Sequence, residues 1–388
     1  MCSKKTQVVN PLTWEQIDSF PLANDSMSEA ELRQLVLDFF RLTLRFPWTP
    51  SKTFDFAPRG KVIITFEEGK VYGGTPYVAG TLGNIYTMME YYNPENGMLN
   101  LDNGLDTIVQ FSNQCSGSTF WAWQRVCSSV NFGGTSDSIE KNGCLRVGPY
   151  TYSDEIYDFY FQKRSTNQVC EENGTDTMFE SYAQLKIADG IVNYNNAGHV
   201  RMICALPVVV RDENGKIDGE QSMLTFIDQD GEWREIAQPD GSPYTVTGGD
   251  QRPLSFQQAF KEGYLPFTFA ELNKQKPIDK SQTTMDYSGQ AISISNLKKA
   301  VVTCNYSISD ITLTVKNAEG KQVYRKLSKA YFPTIPVHTA KVKISVVPKE
   351  LWKFADGKHT VEISARIGTG EKPVVYTGNL AKNHFFFF

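Results

Sequence analysis

Apolar positions between Ser28 and Phe46 recur at helical spacing, with Leu32, Leu35, Val36, Phe39, Thr43 and Phe46 along one side. Ser28 followed three residues later by Glu31 is a capping-box signature, and Pro47 and Pro50 forbid continuation. The pattern predicts a packing helix. A second helical stretch, Gln114 to Val130, reads QCSGSTFWAWQRVCSSV. Phe120, Trp123, Cys127 and Val130 share a stripe, as expected of a helix that buries one side in a core, and Cys115 lies in the first turn at the edge of that stripe. Lys61 to Glu67 reads as a strand, Leu82 to Tyr92 as a short helix, and Asn93 to Asn113 as a loop.

GHVRMICALPVVV (Gly198 to Val210) and SMLTFID (Ser222 to Asp228) read as strands joined through a turn containing Asn214-Gly215, and the two should pair antiparallel. Reflection through the turn sets His199 opposite Asp228 to Asp230, and a bulge near Gly219 would shift this by a residue or two. Asn131 to Asn196, with its DEIYDFYF and MFESYAQL runs, reads as a large insertion over or beside a cleft. After Trp233 the chain is turn-rich to Asp250; a helix around Phe256 to Lys261 and a strand-like YLPFTFAEL close the unit. From Ala291 the pattern changes to short alternating strands with turns at Asn317 to Gly320 and at Asp356-Gly357. That spacing predicts an all-β sandwich of immunoglobulin-like architecture without the Cys…Trp…Cys framework. The expected organisation is a tether over 1–27, a catalytic domain over 28–273, a linker over 274–290 and the sandwich over 291–388.

Composition changes this picture mainly by exclusion. The 388 residues carry a net charge of −4 and no basic stripe, which argues against nucleic acid as a partner. No apolar run is long enough to cross a bilayer. Seven cysteines without a CxxC pair argue against a zinc site. Cys144 and Cys170 are candidates for pairing, which spacing leaves open. The start MCSKKTQ holds no apolar signal segment. Cys2-Ser3 before a polar stretch resembles the mature start of a bacterial lipoprotein. That resemblance implies a lipid on Cys2 as the one link to a membrane, and an extracytoplasmic location. The alternative is a cytosolic protein whose second residue is cysteine.

Cys115 is the candidate nucleophile. A helix start gathers unpaired N–H groups and the positive end of the dipole, a setting that favours thiolate, while Ser116 and Gly117 leave room for a substrate carbonyl. The alternative is an inert buried thiol. Of four histidines, His338, His359 and His384 fall in the expected sandwich, which leaves His199 as the imidazole available to Cys115. A cysteine hydrolase needs a thiolate, a base that later acts as acid, and a group that orients the base. Tyr72 to Val78, YGGTPYV, lacks the Lys-Ser/Thr of a P-loop and reads as a turn brought near the site. Trp121 and Trp123 read as core or cleft wall.

QCSGSTFWAW, with LKIADGIVNYNNAGHVRMI (Leu185 to Ile203), GGTPYV and FID (Phe226 to Asp228), resembles in order the motifs of NlpC-like cell-wall cysteine peptidases of the papain-like clan. The likeness spans Val71 to Gln229. It departs from the family at Gln114, where an acidic residue is usual, at Ala188-Asp189-Gly190, and in its long insertions. It implies an α+β fold with a papain-like hydrolase domain, N-terminal helix and large insertion, followed by the sandwich. It further implies Cys115 as nucleophile, His199 as base, and Asp228 as orienting group with Gln229 as its rival, since adjacent strand residues face opposite ways. Tyr77, with the Cys115 N–H, is implied at the oxyanion site, and Ser116 and Trp121 are candidate substrate contacts. The implied activity is cleavage of an amide bond in a peptidoglycan stem peptide or another peptide, with no cofactor or metal. Two other classes fit the same residues: a non-catalytic surface binding protein on this scaffold, and a cysteine hydrolase of other amides or esters.

Overall fold

The computed structural model describes residues 7–57, 63–81, 83–100, 112–130, 144–152, 165–195, 198–329, 340–344 and 348–381. Cys2 and the DEIYDFYF run lie outside them. The chain divides into two compact units, the first ending at Ile278 and the second starting at Asp279. The architecture is α+β. No helix among the described residues is long and apolar enough to cross a membrane.

The N-terminal helix spans Glu29–Arg45, capped by Ser28 and Glu31 in reciprocal hydrogen bonds. Leu32, Val36, Phe39 and Phe40 bury its inner side. Arg33 is also buried. It bonds Glu29, the Ile187 carbonyl and Asp189, so the Ala188-Asp189-Gly190 motif is where this helix is tied to the sheet. Residues expected as a tether pack instead. Leu12 and Ile17 are buried, a short helix Trp14–Asp18 carries its own capping box, and the Leu12 N–H donates to the Tyr92 hydroxyl. Buried apolar side chains and hydrogen bonds such as that of the Val9 N–H to Gln238 hold this segment down.

The sheet of the first unit is built, in chain order, from β1 (Pro47–Pro50), β4 (Tyr72–Gly73), β5 (Tyr92–Asn93), β6 (Met98–Leu99), β7 (Cys144–Arg146), β8 (Gly190–Tyr194), β9 (Gly198–Val208), β10 (Met223–Ala237), β11 (Pro243–Ser255) and β12 (Leu265–Phe269); β2 (Phe54–Phe56) and β3 (Ile64–Phe66) form a separate pair. Its spatial order is β5-β6-β1-β4-β11-β10-β9-β8-β12-β7, and β8 to β11 form an antiparallel meander at its centre. The stretch expected to be turn-rich, Trp233 to Asp250, belongs instead to the β10–β11 hairpin. Asp240-Gly241 reverses the chain there, whereas Asp230-Gly231 and Gly248-Gly249 fall at a register shift inside the paired strands. The insertion helix Thr166–Tyr182 packs on β8 and β12, and no disulfide joins Cys144 to Cys170. The Cys170 Sγ faces the Tyr182 hydroxyl and the Tyr264 carbonyl.

In the second unit, β13 (Thr283–Met285), β15 (Val301–Cys304) and β18 (Ala340–Lys343) form one sheet; β14 (Ala291–Ser293), β20 (Val374–Ala381), β19 (Thr360–Ile367), β16 (Ile308–Lys316) and β17 (Gln322–Lys329) form another, in that order. The second is antiparallel except for β14–β20. Val302 and Cys304 of one sheet share a core with Ile311, Leu313, Ile363 and Ala365 of the other. The expected linker 274–290 therefore contains a strand, β13, whose Thr and Met positions pair with β15.

Candidate active site

β9 and β10 pair Phe226 with Ile203 and Ile227 with Met202. Continued by one step, that register sets Asp228 beside Arg201, with His199 two residues along β9 on the same side. The His199 Nε2 donates to Asp228 Oδ2 at 2.8 Å. The Asp228 side chain is fully buried while the His199 side chain keeps 22% of its exposure, so a substrate meets the ring and not the carboxylate. The backbone of β9 is steadied at the same point, because the His199 N–H donates to Asn193 Oδ1 on β8. Cys115 lies close enough to the imidazole to act on its charge. With Nε2 directed to Asp228, Nδ1 is the nitrogen left for the thiol. Burial alone would lower the pKa of His199. The Asp228 hydrogen bond and the nearby Cys115 outweigh it, and the ring is pushed up to about 9. At neutral pH it is an imidazolium.

The cysteine helix spans Cys115–Trp123 and is buried on every side rather than on one stripe. It packs against the N-terminal helix, β9 and β10. Its N-cap residue, Gln114, makes no capping hydrogen bond. The Gln114 amide instead accepts from the Gly80 N–H at 2.7 Å and donates to Ser116 Oγ at 3.1 Å. Among the described residues the first-turn N–H groups around Cys115 are thus left for another acceptor, with the helix dipole behind them.

Tyr77 is held beside the cysteine by the main chain. Asn113 N–H donates to the Pro76 carbonyl at 2.9 Å and Val78 N–H to the Asn113 carbonyl at 2.8 Å, a parallel bridge two residues before the thiol. The glycine run before it has a packing reason, since Gly74 adopts φ +66° with its missing side chain aimed at the Leu44 carbonyl. Tyr77 is half-buried, and its hydroxyl has no hydrogen-bond partner among the described residues. Burial, with the nearby charges of Cys115, Asp230 and Asp228, pushes its pKa up to about 12. It therefore stays a phenol, a donor, through the neutral range.

The remaining sequence candidates lie elsewhere. Gln229 does not face the imidazole. Its amide accepts from the Ser118 hydroxyl and donates to the Thr75 carbonyl and, at 3.2 Å, to Thr247 Oγ1. It joins the cysteine helix, the Tyr77 segment and β11 behind the site. Ser116 is buried on Gln114, and Trp121, 2% exposed, packs edge-on to Phe120 at 5.3 Å. Neither reaches solvent, because the whole helix is interior. Residues not singled out in the sequence complete the site. Arg252 of β11 donates to Asp228 Oδ1 at 3.1 Å, and Arg201 lies between the rings of Phe226 and Tyr264 with its Nε 3.4 Å from Asp228. Reading the alternation Tyr244-Thr-Val246-Thr as the start of a strand would have put Arg252 on that list.

A thiol, an imidazolium and a buried carboxylate are thus neighbours, with a helix N-terminus and a phenol at the thiol end. This arrangement can deliver a nucleophile, return a proton to a leaving group and stabilise an oxyanion. No protein-family model matches this chain, and no curated protein matches it.

Proposed function

We propose that the chain is a cysteine hydrolase of the papain-like kind, acting on an amide bond by acyl transfer to water. The reading rests above all on His199 bonding the fully buried Asp228 with Cys115 close enough to act on the ring. The Cys115 thiolate attacks the amide carbonyl. The oxyanion is received by the Cys115 N–H and the Tyr77 hydroxyl, groups with no other acceptor among the described residues. The His199 imidazolium, held in orientation by Asp228, protonates the departing amine and so breaks the C–N bond. The neutral ring then takes a proton from water, whose oxygen attacks the thioester, and the thiolate leaves.

The substrate class, a peptidoglycan stem peptide, is supported by the resemblance of the QCSGSTFWAW, GGTPYV and AGHV motifs to NlpC-like peptidases. Digestion of muropeptides, read by mass spectrometry, tests this. The wild-type protein should convert a stem peptide into two fragments that together have gained one water. Cys115→Ser and His199→Ala should lose turnover by on the order of 10²–10⁴-fold. Wild-type turnover by Cys115→Ser would refute the mechanism. Intact muropeptides with hydrolysis of other amides or esters would refute the substrate class alone.

A further inference from the structure

Asp228 can orient His199 only if its own carboxylate is held. A buried carboxylate with one hydrogen bond can still turn about its Cβ–Cγ bond, and a second bond to the other oxygen fixes the plane. Here Oδ2 accepts from His199 at 2.8 Å and Oδ1 from Arg252 Nη1 at 3.1 Å. The same Nη1 also donates to Asp230 Oδ2 at 2.7 Å. Asp230 is in turn gripped by Arg234, whose Nη1 and Nη2 reach its two oxygens at 2.7 and 2.8 Å. The guanidinium of Arg252 lies over the Phe226 ring, 5.2 Å from its centre. The strands explain how it arrives there. β10 and β11 pair Phe226 with Arg252, then shift register to pair Asp228 with Gly249, which draws the Arg252 side chain back along the strand toward the carboxylate.

From this geometry we propose, resting on the hydrolase reading above, that Arg252 is a positioning residue that clamps Asp228 and through it holds the His199 ring on Cys115. Other charges around the pair do not supply that clamp. Arg201 lies within ion-pair distance of Asp228 Oδ2, but its Nε makes no hydrogen bond and its Nη1 turns to Glu262 at 3.4 Å. Tyr77 and Tyr264 face the pair as uncharged phenols, both raised by burial. Arg234 acts on Asp230.

Clamp and bystander charge predict opposite signs. A positive charge that merely sat near the pair would disfavour imidazolium, so its loss would raise the His199 pKa. Loss of a clamp frees Asp228 from His199 and lowers it. The test is the pH titration of the His199 ring in the full-length protein by NMR, feasible because the chain has four histidines. The His199 resonance is assigned by its loss in His199→Gln. Arg252→Gln should lower the midpoint from about 9 toward the ordinary value of 6.5, by at least one pH unit. Asp230→Asn, which removes the second anchor of Arg252, should lower it by less, and it decides the matter if Arg252→Gln does not fold. An unchanged or raised midpoint in the folded variants overturns the clamp. A wild-type midpoint at the ordinary value overturns it too. Muropeptide turnover that survives Cys115→Ser refutes the hydrolase and leaves the titration result standing, so the two failures are distinguishable.

Discussion

The imidazole is where the account is most exposed to measurement. His199 holds its proton to about 9 in the fold, against an ordinary 6.5, so the folded protein binds a proton that the unfolded chain releases between those values. The stabilisation this gives is complete below about 6.5 and disappears as pH rises through about 9. His199→Gln should therefore lower the melting temperature most at pH 6, with the gap to wild type closing toward pH 10. A gap that is constant with pH would contradict the raised value. Cys115 and His199 were legible in the sequence because a cysteine at a helix start and a single histidine in the first unit leave few alternatives. The choice between Asp228 and Gln229 was not, since it turns on which side of β10 each side chain takes. In the fold Asp228 meets the imidazole, whereas Gln229 meets Ser118, Thr75 and Thr247.

Among the elements, the β10–β11 pair decides whether the carboxylate sits where the ring needs it. Gly248 has φ +79°, and a Cβ there would fall within the van der Waals shell of the Asp228 carbonyl oxygen. A side chain at this point costs about 1–2 kcal/mol for the left-handed backbone alone, before the clash pushes β10 away. Gly248→Ala should lower stability by at least that amount in denaturant titration and should slow muropeptide turnover through displaced Asp228. Gly241→Ala, at a turn with φ +83° and nothing near its missing side chain, controls for the backbone penalty and should leave turnover unchanged. Equal loss of turnover in both would contradict the claim. The strand Gly198–Val208 and the first part of the next, Met223 to Asp228, were readable from their apolar runs, whereas its continuation to Ala237 was not. The register shift was not, because Asp-Gly and Gly-Gly carry the same residue preferences whether the chain reverses or merely kinks. That ambiguity concealed β11 and, with it, Arg252.

Over the whole molecule, the change of pattern near Ala291 marked a second unit, and the structure begins that unit at Asp279, because β13 pairs with β15 inside what had read as a polar linker. The N-terminal stretch read as a tether for a similar reason. Short segments anchored by one or two apolar side chains, here Leu12 and Ile17, leave little periodic signal. Every residue assigned a part in catalysis lies in the first unit, and each of its three chemical parts comes from a different element: thiol from a helix, imidazole and carboxylate from neighbouring strands. The fold as a whole is thus what brings positions 115, 199 and 228 together. The most direct test of that convergence is the rate at which iodoacetamide alkylates Cys115 at pH 6, resolved from the other thiols by peptide mass spectrometry. Cys115 should label rapidly in the wild-type protein and at least about tenfold more slowly in His199→Ala, as expected when a thiolate loses its imidazolium partner. Slow labelling that rises only in alkaline solution, at the same rate with or without His199, would contradict it.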